Sequence, residues 1–287
     1  MYMAGTPGRR PGTPGSPLQR LPKGQLGAVI AVGSGKGGVG KSSVAALLAC
    51  ELARQGKRVG LLDADITGPS IPKLLGLKGP LSDHGEGIEP AHSPGGISVV
   101  SSQFLVEESS TPVIWRGPLV TRLIMQFFGG VNWGALDFLL LDMPPGTSDV
   151  PLTVFQTVPL DGMVFVSTPQ ELSGLIVRKA MNMARDLHIP LLGIIENMAS
   201  VVCPKCGEVL RPFGPERGSA LAEEYDTRLL GELPIDPRIS ELGDAGRLEE
   251  YTGEALTQVG EALLRSLQEI RGRQLTMVPP GGSPPDG

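Results

Sequence analysis

Short apolar runs alternate with stretches of helical periodicity along most of the chain. Apolar runs rich in Val, Ile and Leu are typical of strands that are buried on both faces of a parallel sheet. Such runs occupy residues 26–32, 58–63, 97–101, 136–142, 162–167, 191–197 and 228–233. Apolar positions at helical spacing predict helices over residues 43–52, 119–128, 172–187 and 254–270. The alternation predicts an α/β fold with a mostly parallel sheet that helices cover on both faces.

The two ends of the chain depart from this pattern. Residues 1–25 are rich in Pro and Gly and contain no acidic residue, and residues 277–287 are again rich in Pro and Gly. Such segments cannot bury enough apolar surface to order themselves. We therefore predict two disordered tails around one folded domain over residues 26–276.

Charge and cysteine content narrow the class of protein. The 287 residues carry a formal net charge of −5, which argues against nucleic acid as the main partner. No apolar run approaches the length of a membrane-spanning helix, so no membrane partner is expected. Only three cysteines occur, which argues against a disulfide framework and favours a reducing cytoplasm.

A glycine-rich loop follows the first predicted strand. Residues 33–42 read GSGKGGVGKS, and residues 35–42 fit G-x-x-x-x-G-K-[ST], a loop whose backbone N–H groups hold phosphates. Lys41 is expected to reach the β- and γ-phosphates, and the Ser42 hydroxyl to complete a Mg²⁺ site. Lys36 has no role inside that cradle, which suggests a nucleotide switch that closes on a partner. The residues expected to bind the nucleotide here are Gly35, Lys36, Gly37, Gly38, Val39, Gly40, Lys41, Ser42 and Ser43.

The same glycines also fit a dinucleotide-binding fingerprint. They satisfy G-x-G-x-x-G, and Asp63, at the end of the next predicted strand, would then hold a ribose. That alternative leaves both lysines and Ser42 without a role, whereas the phosphate-binding loop uses Lys41 and Ser42 directly. The sequence therefore favours the phosphate-binding loop.

Two predicted strands end in aspartate. Asp63 and Asp65 lie on one side of an extended segment, because side chains two residues apart face the same way. Asp142 ends the apolar run LLLD. Beside Mg²⁺ and phosphate, one aspartate can hold the metal while another orients the attacking water. We predict that Asp142 serves the metal and Asp65 the water, with Asp63 in support. The alternative is that each aspartate only caps a turn.

The segment after Asp142 has the composition of a switch. Residues 143–147 read MPPGT, a stiff stretch followed by a glycine hinge. A Gly146 amide that touches the γ-phosphate would let this loop sense hydrolysis.

A C-x-x-C pair follows the strand predicted over residues 191–197. Cys203 and Cys206, turned by Pro204 and Gly207, form half of a four-thiolate metal site. Cys50 is expected to pack in the core instead. The pattern thus points to two chains that each supply two cysteines. A shared iron–sulfur cluster, a shared zinc ion, a redox pair and surface thiols all stay open on these residues alone.

Several motifs together resemble one family. In chain order they are GKGGVGKSS (35–43), GLLDADITGPSIPKLLG (60–76), LDMPPGTSD (141–149), IIENM (194–198), CPKCG (203–207) and LGELPID (230–236). They resemble the Mrp/ApbC-type iron–sulfur carrier ATPases, a branch of the MinD/ParA group with a deviant Walker A motif. The resemblance implies a slow ATPase that works as a homodimer and carries a 4Fe-4S cluster between two C-x-x-C pairs, for delivery to apo iron–sulfur proteins.

The resemblance also implies roles for single residues. It implies that Lys36 acts across the dimer on the other chain's nucleotide, as an arginine finger does. Asn197 and Asp236 match positions that contact the base in related ATPases. The leading alternative is a MinD/ParA-type positioning ATPase whose C-x-x-C pair holds a structural zinc. That class needs a basic membrane-binding or DNA-binding element, which this sequence does not show.

Overall fold

The chain folds around an eight-stranded sheet, as seen in a computed structural model that describes residues 26–66, 68–83, 87–105, 117–147, 149–170 and 174–276. Its strands, in chain order, are β1 (Leu26–Gly33), β2 (Val59–Asp63), β5 (Ala91–His92), β6 (Ser98–Ser101), β7 (Leu136–Asp142), β8 (Gly162–Ser167), β9 (Leu191–Glu196) and β12 (Leu229–Glu232). Two small hairpins stand apart from this sheet: β3 (Ser82–Asp83) with β4 (Ile88–Glu89), and β10 (Val201–Val202) with β11 (Val209–Leu210).

Helices connect the strands and cover the sheet. They are α1 (Lys41–Arg54), α2 (Ile71–Leu74), α3 (Gly117–Gly129), α4 (Asp149–Thr157), α5 (Leu175–Asp186), α6 (Gly218–Glu224), α7 (Pro237–Asp244) and α8 (Glu254–Thr276). Within the described ranges, no helix combines the length and the apolar character needed to cross a membrane.

The strand order puts β1 at the point where the chain changes the side of the sheet to which it adds strands. The order is β12-β9-β8-β1-β7-β2-β6-β5, and every neighbouring pair is parallel except β5 with β6. From β1 the chain first builds β2 and β6 on one side, and later builds β8, β9 and β12 on the other. Ligands of open parallel sheets bind at the carboxyl ends of the strands beside such a reversal. The loop after β1 lies at that point.

Two apolar layers, one on each face, hold the sheet. Alternate residues of β1 point to opposite faces, so Ile30 belongs to the layer that contains α1 and α8. Ala31 belongs to the other layer, which contains Phe127 of α3 and Met181 of α5. Cys50 is only 3% exposed in the first layer, which confirms its prediction as a core residue. Burial on both faces explains why the central strands are continuously apolar.

The structure confirms the predicted α/β class and differs mainly at short helices. All seven predicted strands reappear with ends shifted by at most one residue, for example β2, which begins at Val59 rather than 58. The apolar pattern does not predict α2, α4, α6 or α7, because each is too short to carry a full apolar stripe. The helix predicted over 172–187 begins at Leu175 in the described residues. Residues 1–25 and 277–287 lie outside the described ranges, so their disorder stays a prediction.

Candidate functional site

The loop between β1 and α1 has the backbone shape of a phosphate-binding loop. Gly38 and Gly40 adopt φ of +84° and +80°, a conformation that L side chains rarely adopt. Space is open around Gly38, so its backbone conformation alone accounts for that glycine. At Gly40, a Cβ atom would also lie 2.4 Å from Nδ2 of Asn197. The sequence therefore needs glycine at both positions, and the loop leads directly into the first turn of α1.

Three predicted site residues meet below this loop. The Lys41 ammonium lies 2.5 Å from Oδ1 of Asp142 and 3.1 Å from Oγ of Ser42. Lys41 is 6% exposed and Asp142 is completely buried. Burial raises the pKa of Asp142 above its usual range, although the Lys41 ammonium opposes that shift. The motif spacing thus predicts correctly that the lysine, the hydroxyl and the strand-terminal carboxylate lie together.

Asp63 and Asp65 have different surroundings. Asp63 is completely buried and accepts hydrogen bonds from the Ser101 hydroxyl and from the backbone N–H groups of Asp65, Ser70 and Ile71. It therefore fixes the segment that leads from β2 into α2, in keeping with the supporting role predicted for it. Asp65 is half-buried and lies close enough to Asp142 for its charge to raise the pKa of Asp142.

The surroundings of Asp142 fit a divalent cation. Burial, with the nearby negative Asp142, raises the pKa of Asp63 to about 8. Among the buried residues that the structure describes, Lys41 is the only one with a positive charge to set against this acidic group. In addition, Oδ2 of Asp142 is buried without a hydrogen-bond partner. A buried unpaired carboxylate oxygen beside the Ser42 hydroxyl fits Mg²⁺, which prefers oxygen ligands.

The loop after β7 contacts the phosphate-binding loop. The Gly146 N–H donates to the Ser34 carbonyl at 3.0 Å, and the Ser34 hydroxyl donates to the Lys36 carbonyl at 3.0 Å. Gly146 adopts a φ of +84°, a backbone conformation that favours glycine, and its role as a hinge stays a prediction. A change at one loop therefore reaches the other through direct hydrogen bonds.

Two further polar side chains belong to the same edge of the sheet. Besides Asp142, the described side chains include two buried oxygen atoms without a partner, Oγ of Ser167 and Oε1 of Glu196. All three residues end parallel strands of the central sheet, namely β7, β8 and β9. Sequence reasoning missed Ser167 and Glu196, although both end apolar runs as Asp142 does. Buried unpaired polar atoms are uncommon in folded proteins, so their concentration marks this edge as a ligand site.

The two residues predicted to contact the base have partners within the protein. Asn197 is 7% exposed, and its Nδ2 donates to the Val39 carbonyl at 2.9 Å. Asp236 caps α7 by accepting from the Arg238 backbone N–H at 3.0 Å, and it also pairs with the Arg238 guanidinium at 2.6 Å. The structure thus gives each side chain a positioning role, and their contact with the base stays a prediction.

The C-x-x-C pair lies at the turn of the β10–β11 hairpin. The Cys203 N–H donates to the Glu208 carbonyl at 2.9 Å, and the Gly207 N–H donates to the Cys203 carbonyl at 2.9 Å. Cys203 is half-buried and Cys206 is exposed. Backbone N–H groups of Cys206 and Lys205 donate to the Cys203 sulfur, which lowers the pKa of Cys203. A thiolate held in this way is a good metal ligand.

This hairpin presents two thiols close together. In the part of the chain that the structure describes, no cluster of three or more His, Cys, Asp or Glu side chains can hold a metal. The turn continues into β11 rather than into a helix, which argues against a thioredoxin-like redox pair. The hairpin also exposes three large apolar side chains, which are Val202 (54%), Val209 (59%) and Leu210 (46%). Exposed apolar groups beside two thiols suit an interface with a second protein surface.

The fold and the loop together define a P-loop NTPase. Comparisons with known proteins agree with this class and name a family. Residues 25–270 match the model of the ParA family described as NUBPL iron-transfer P-loop NTPase. The chain belongs to this family, which confirms the resemblance found in the sequence.

Individual relatives and solved structures are similar to the chain over most of its length. An iron-sulfur cluster carrier protein from Saccharolobus solfataricus is 49% identical over 219 residues, which are 76% of this chain and 74% of the relative. A nucleotide-binding protein from Archaeoglobus fulgidus, solved in complex with ADP, has a TM-score of 0.74 and 48% identity over 83% of this chain and 93% of its own. The cell division ATPase MinD from Pyrococcus furiosus has a TM-score of 0.61 at 19% identity, over 83% of this chain and 99% of its own, and so shares the fold.

Proposed function

We propose that the protein is an ATP-hydrolysing carrier that assembles a 4Fe-4S cluster and transfers it to apo iron–sulfur proteins. The observation that carries the proposal is the half metal site. Cys203 and Cys206 form a two-thiol turn on an exposed hairpin, and the described residues offer no further ligands to complete it. A second copy of the chain would supply the other two thiolates, since four thiolates are the usual ligand set of a 4Fe-4S cluster.

The nucleotide half of the proposal rests on the Lys41 contacts. Backbone N–H groups of residues 35–43 would hold the phosphates of ATP, and Mg²⁺ bound by Ser42 and Asp142 would neutralise phosphate charge. Lys41 would then turn from Asp142 towards the β- and γ-phosphates. Asp65, half-buried beside Asp142, would orient the attacking water.

The dimer part of the proposal is supported by exposed side chains on the phosphate-binding loop and on the cysteine hairpin. Lys36 is exposed on the phosphate-binding loop, and in a dimer it would act on the nucleotide of the second chain. The apolar side chains of Val202, Val209 and Leu210 flank the thiols and would be buried when two hairpins meet. In this arrangement a γ-phosphate on one chain draws the two P-loops together. Its loss releases the Gly146 amide to Ser34, the contact that the structure shows.

Two variants separate the two halves of this function. Lys41→Ala removes the phosphate contact, so we expect ATP turnover to fall by about 10³-fold or more while anaerobic cluster loading persists. Cys203→Ala removes one thiolate of each chain, so we expect cluster transfer to an apo iron–sulfur protein to stop. Turnover is measured by phosphate release and transfer by the activation of the apo protein.

Cys50→Ala is the matched control for the loss of a thiol, because Cys50 lies in the core and cannot reach a cluster. We expect this variant to load and transfer clusters as the wild type does. Normal cluster transfer by Cys203→Ala would contradict the proposed carrier site.

A further inference from the structure

Asn197 lies between the phosphate-binding loop and the cysteine hairpin, both in sequence and in space. Its Nδ2 donates to the Val39 carbonyl of the loop at 2.9 Å, in a buried position. Its backbone N–H donates to the Ser167 carbonyl at 2.7 Å, which holds the residue at the edge of the sheet. A short segment then leads to β10 and Cys203. One residue therefore touches the nucleotide loop and begins the chain segment that carries the thiols.

The hydrogen bond to the Val39 carbonyl constrains the backbone of the phosphate-binding loop. The Val39 carbonyl and the Gly40 N–H belong to one planar trans peptide, so they point in opposite directions. Loops of this type bind phosphates through such N–H groups. By holding the carbonyl, the Asn197 amide sets the direction of the Gly40 N–H. A rotation of this peptide on phosphate binding must therefore displace the Asn197 side chain or break its hydrogen bond.

The packing around this peptide leaves little room to absorb a shift. A Cβ atom on Gly40 would lie 2.4 Å from Nδ2 of Asn197 and 3.5 Å from Cε of Met198. Met198 itself adopts a φ of +58°, which is uncommon for a residue other than glycine. Such a conformation persists only where the surroundings enforce it. Movement of the loop is thus passed to the segment after β9.

That segment leads into the hairpin and is hydrogen-bonded to the chain that follows β12. The Ala199 N–H donates to the Leu233 carbonyl at 3.0 Å, and the Ile235 N–H donates to the Ser200 carbonyl at 2.6 Å. These bonds connect the chain before β10 to the end of β12. On the far side of the hairpin, Arg211 pairs with Glu232 of β12 at 2.8 Å. The Arg211 pair anchors the hairpin without touching the phosphate-binding loop.

We propose that Asn197 is a positioning residue that couples the nucleotide state of the P-loop to the Cys203 thiol. The Asn197 amide shifts when the Val39–Gly40 peptide rotates, and this shift reaches the cysteine turn through residues 198–202. The inference rests on the proposed function for its nucleotide, ATP, but it does not depend on which metal the thiols hold. A coupling between two sites of this kind changes a measured property by about 5-fold or more.

The test follows the alkylation of Cys203 in the full, metal-free chain. Iodoacetamide labelling is timed by peptide mass spectrometry, with and without a saturating nonhydrolysable ATP analogue and Mg²⁺. Cys50 does not interfere, because burial raises its pKa to about 12. We expect the analogue to change the wild-type rate by about 5-fold or more. In Asn197→Asp, which keeps the shape but cannot donate to Val39, we expect the two rates to agree within about 2-fold.

Arg211→Gln is the matched control. It removes an anchor of the same hairpin, so the rate of labelling is free to change, but the response to the analogue is expected to persist. Asn197→Ser, whose side chain is too short to reach Val39, is expected to behave as Asn197→Asp does. Calorimetry confirms that each variant is saturated, and thermal unfolding confirms that it is folded.

Three results would overturn the proposal. The first is a wild-type response to the analogue that survives in Asn197→Asp or Asn197→Ser. The second is a complete loss of nucleotide binding in both variants, which would make Asn197 a binding residue alone. The third is a wild-type rate that ignores the analogue. None of these results affects the carrier function, which is tested separately by cluster loading and transfer.

Discussion

Lys36→Ala is expected to lower ATP turnover by about 10³–10⁵-fold, the effect of removing a cationic finger from a phosphoryl-transfer site. In the structure, Lys41 already occupies the cradle below the loop, where it contacts Asp142 and Ser42. Lys36 is exposed on the outer side of the same loop. We therefore expect its charge to serve a site outside its own cradle, and its loss to affect kcat far more than nucleotide binding.

Mixed dimers decide whether Lys36 acts across the interface. In a dimer of one Lys36→Ala chain and one Lys41→Ala chain, the first chain keeps its own Lys41 and receives Lys36 from its partner. One of the two sites is then complete. An equal mixture should regain about a quarter of the wild-type rate per chain, because half the dimers are mixed.

Action within one chain predicts a different result. Each site of a mixed dimer would then lack one lysine, and mixing would restore nothing. Lys57→Ala is the matched control, since Lys57 is an exposed lysine before β2, at the opposite edge of the sheet. A turnover loss of similar size in Lys57→Ala would show a general charge effect and contradict the assignment of Lys36.

Asp65→Asn is expected to lower kcat by about 10²–10⁴-fold with little change in the affinity for ATP. The carboxylate lies beside Asp142 but is only half-buried, so a water molecule can approach it. Asparagine keeps the shape but cannot accept a proton from the attacking water. The measurement is phosphate release at saturating ATP, with binding followed separately by calorimetry.

The control for Asp65 is a carboxylate at the other end of the sheet. Asp137 lies at the amino end of β7 and pairs with Arg58 at 2.9 Å on the surface. Asp137→Asn removes the same charge far from the loop, and we expect turnover to stay within about 2-fold of the wild type. A normal kcat in Asp65→Asn would contradict this role for Asp65 and show that another group orients the water.

Much of the site is predictable because local sequence dictates it. The P-loop needs glycine at 38 and 40 for backbone reasons, and a strand followed by a helix positions Lys41 and Ser42. The run LLLD predicts that Asp142 ends a buried strand, and the parallel order of strands brings it to the same edge. The motifs and the hydrophobic periodicity are therefore sufficient to predict the nucleotide site and the class of fold.

The remaining features depend on contacts between distant segments. The hydrogen bond from Asn197 to Val39 joins residues that are 158 positions apart, and no local pattern indicates it. Asp236 fits a family position for base contact, yet the fold uses it as a helix cap bound to Arg238. The start of the short helix α2 is held by Asp63, which accepts the N–H groups of Ser70 and Ile71, and only the folded chain reveals this contact.

The most direct test of the carrier function is the metal content of the wild-type protein purified without oxygen. The shared-cluster account predicts about two iron and two sulfide per chain, and their loss in a Cys203→Ser variant purified in parallel. Zinc in place of iron would make the cysteine hairpin a structural zinc site and favour a positioning ATPase. A protein that holds no iron or sulfide even after anaerobic reconstitution would contradict the account.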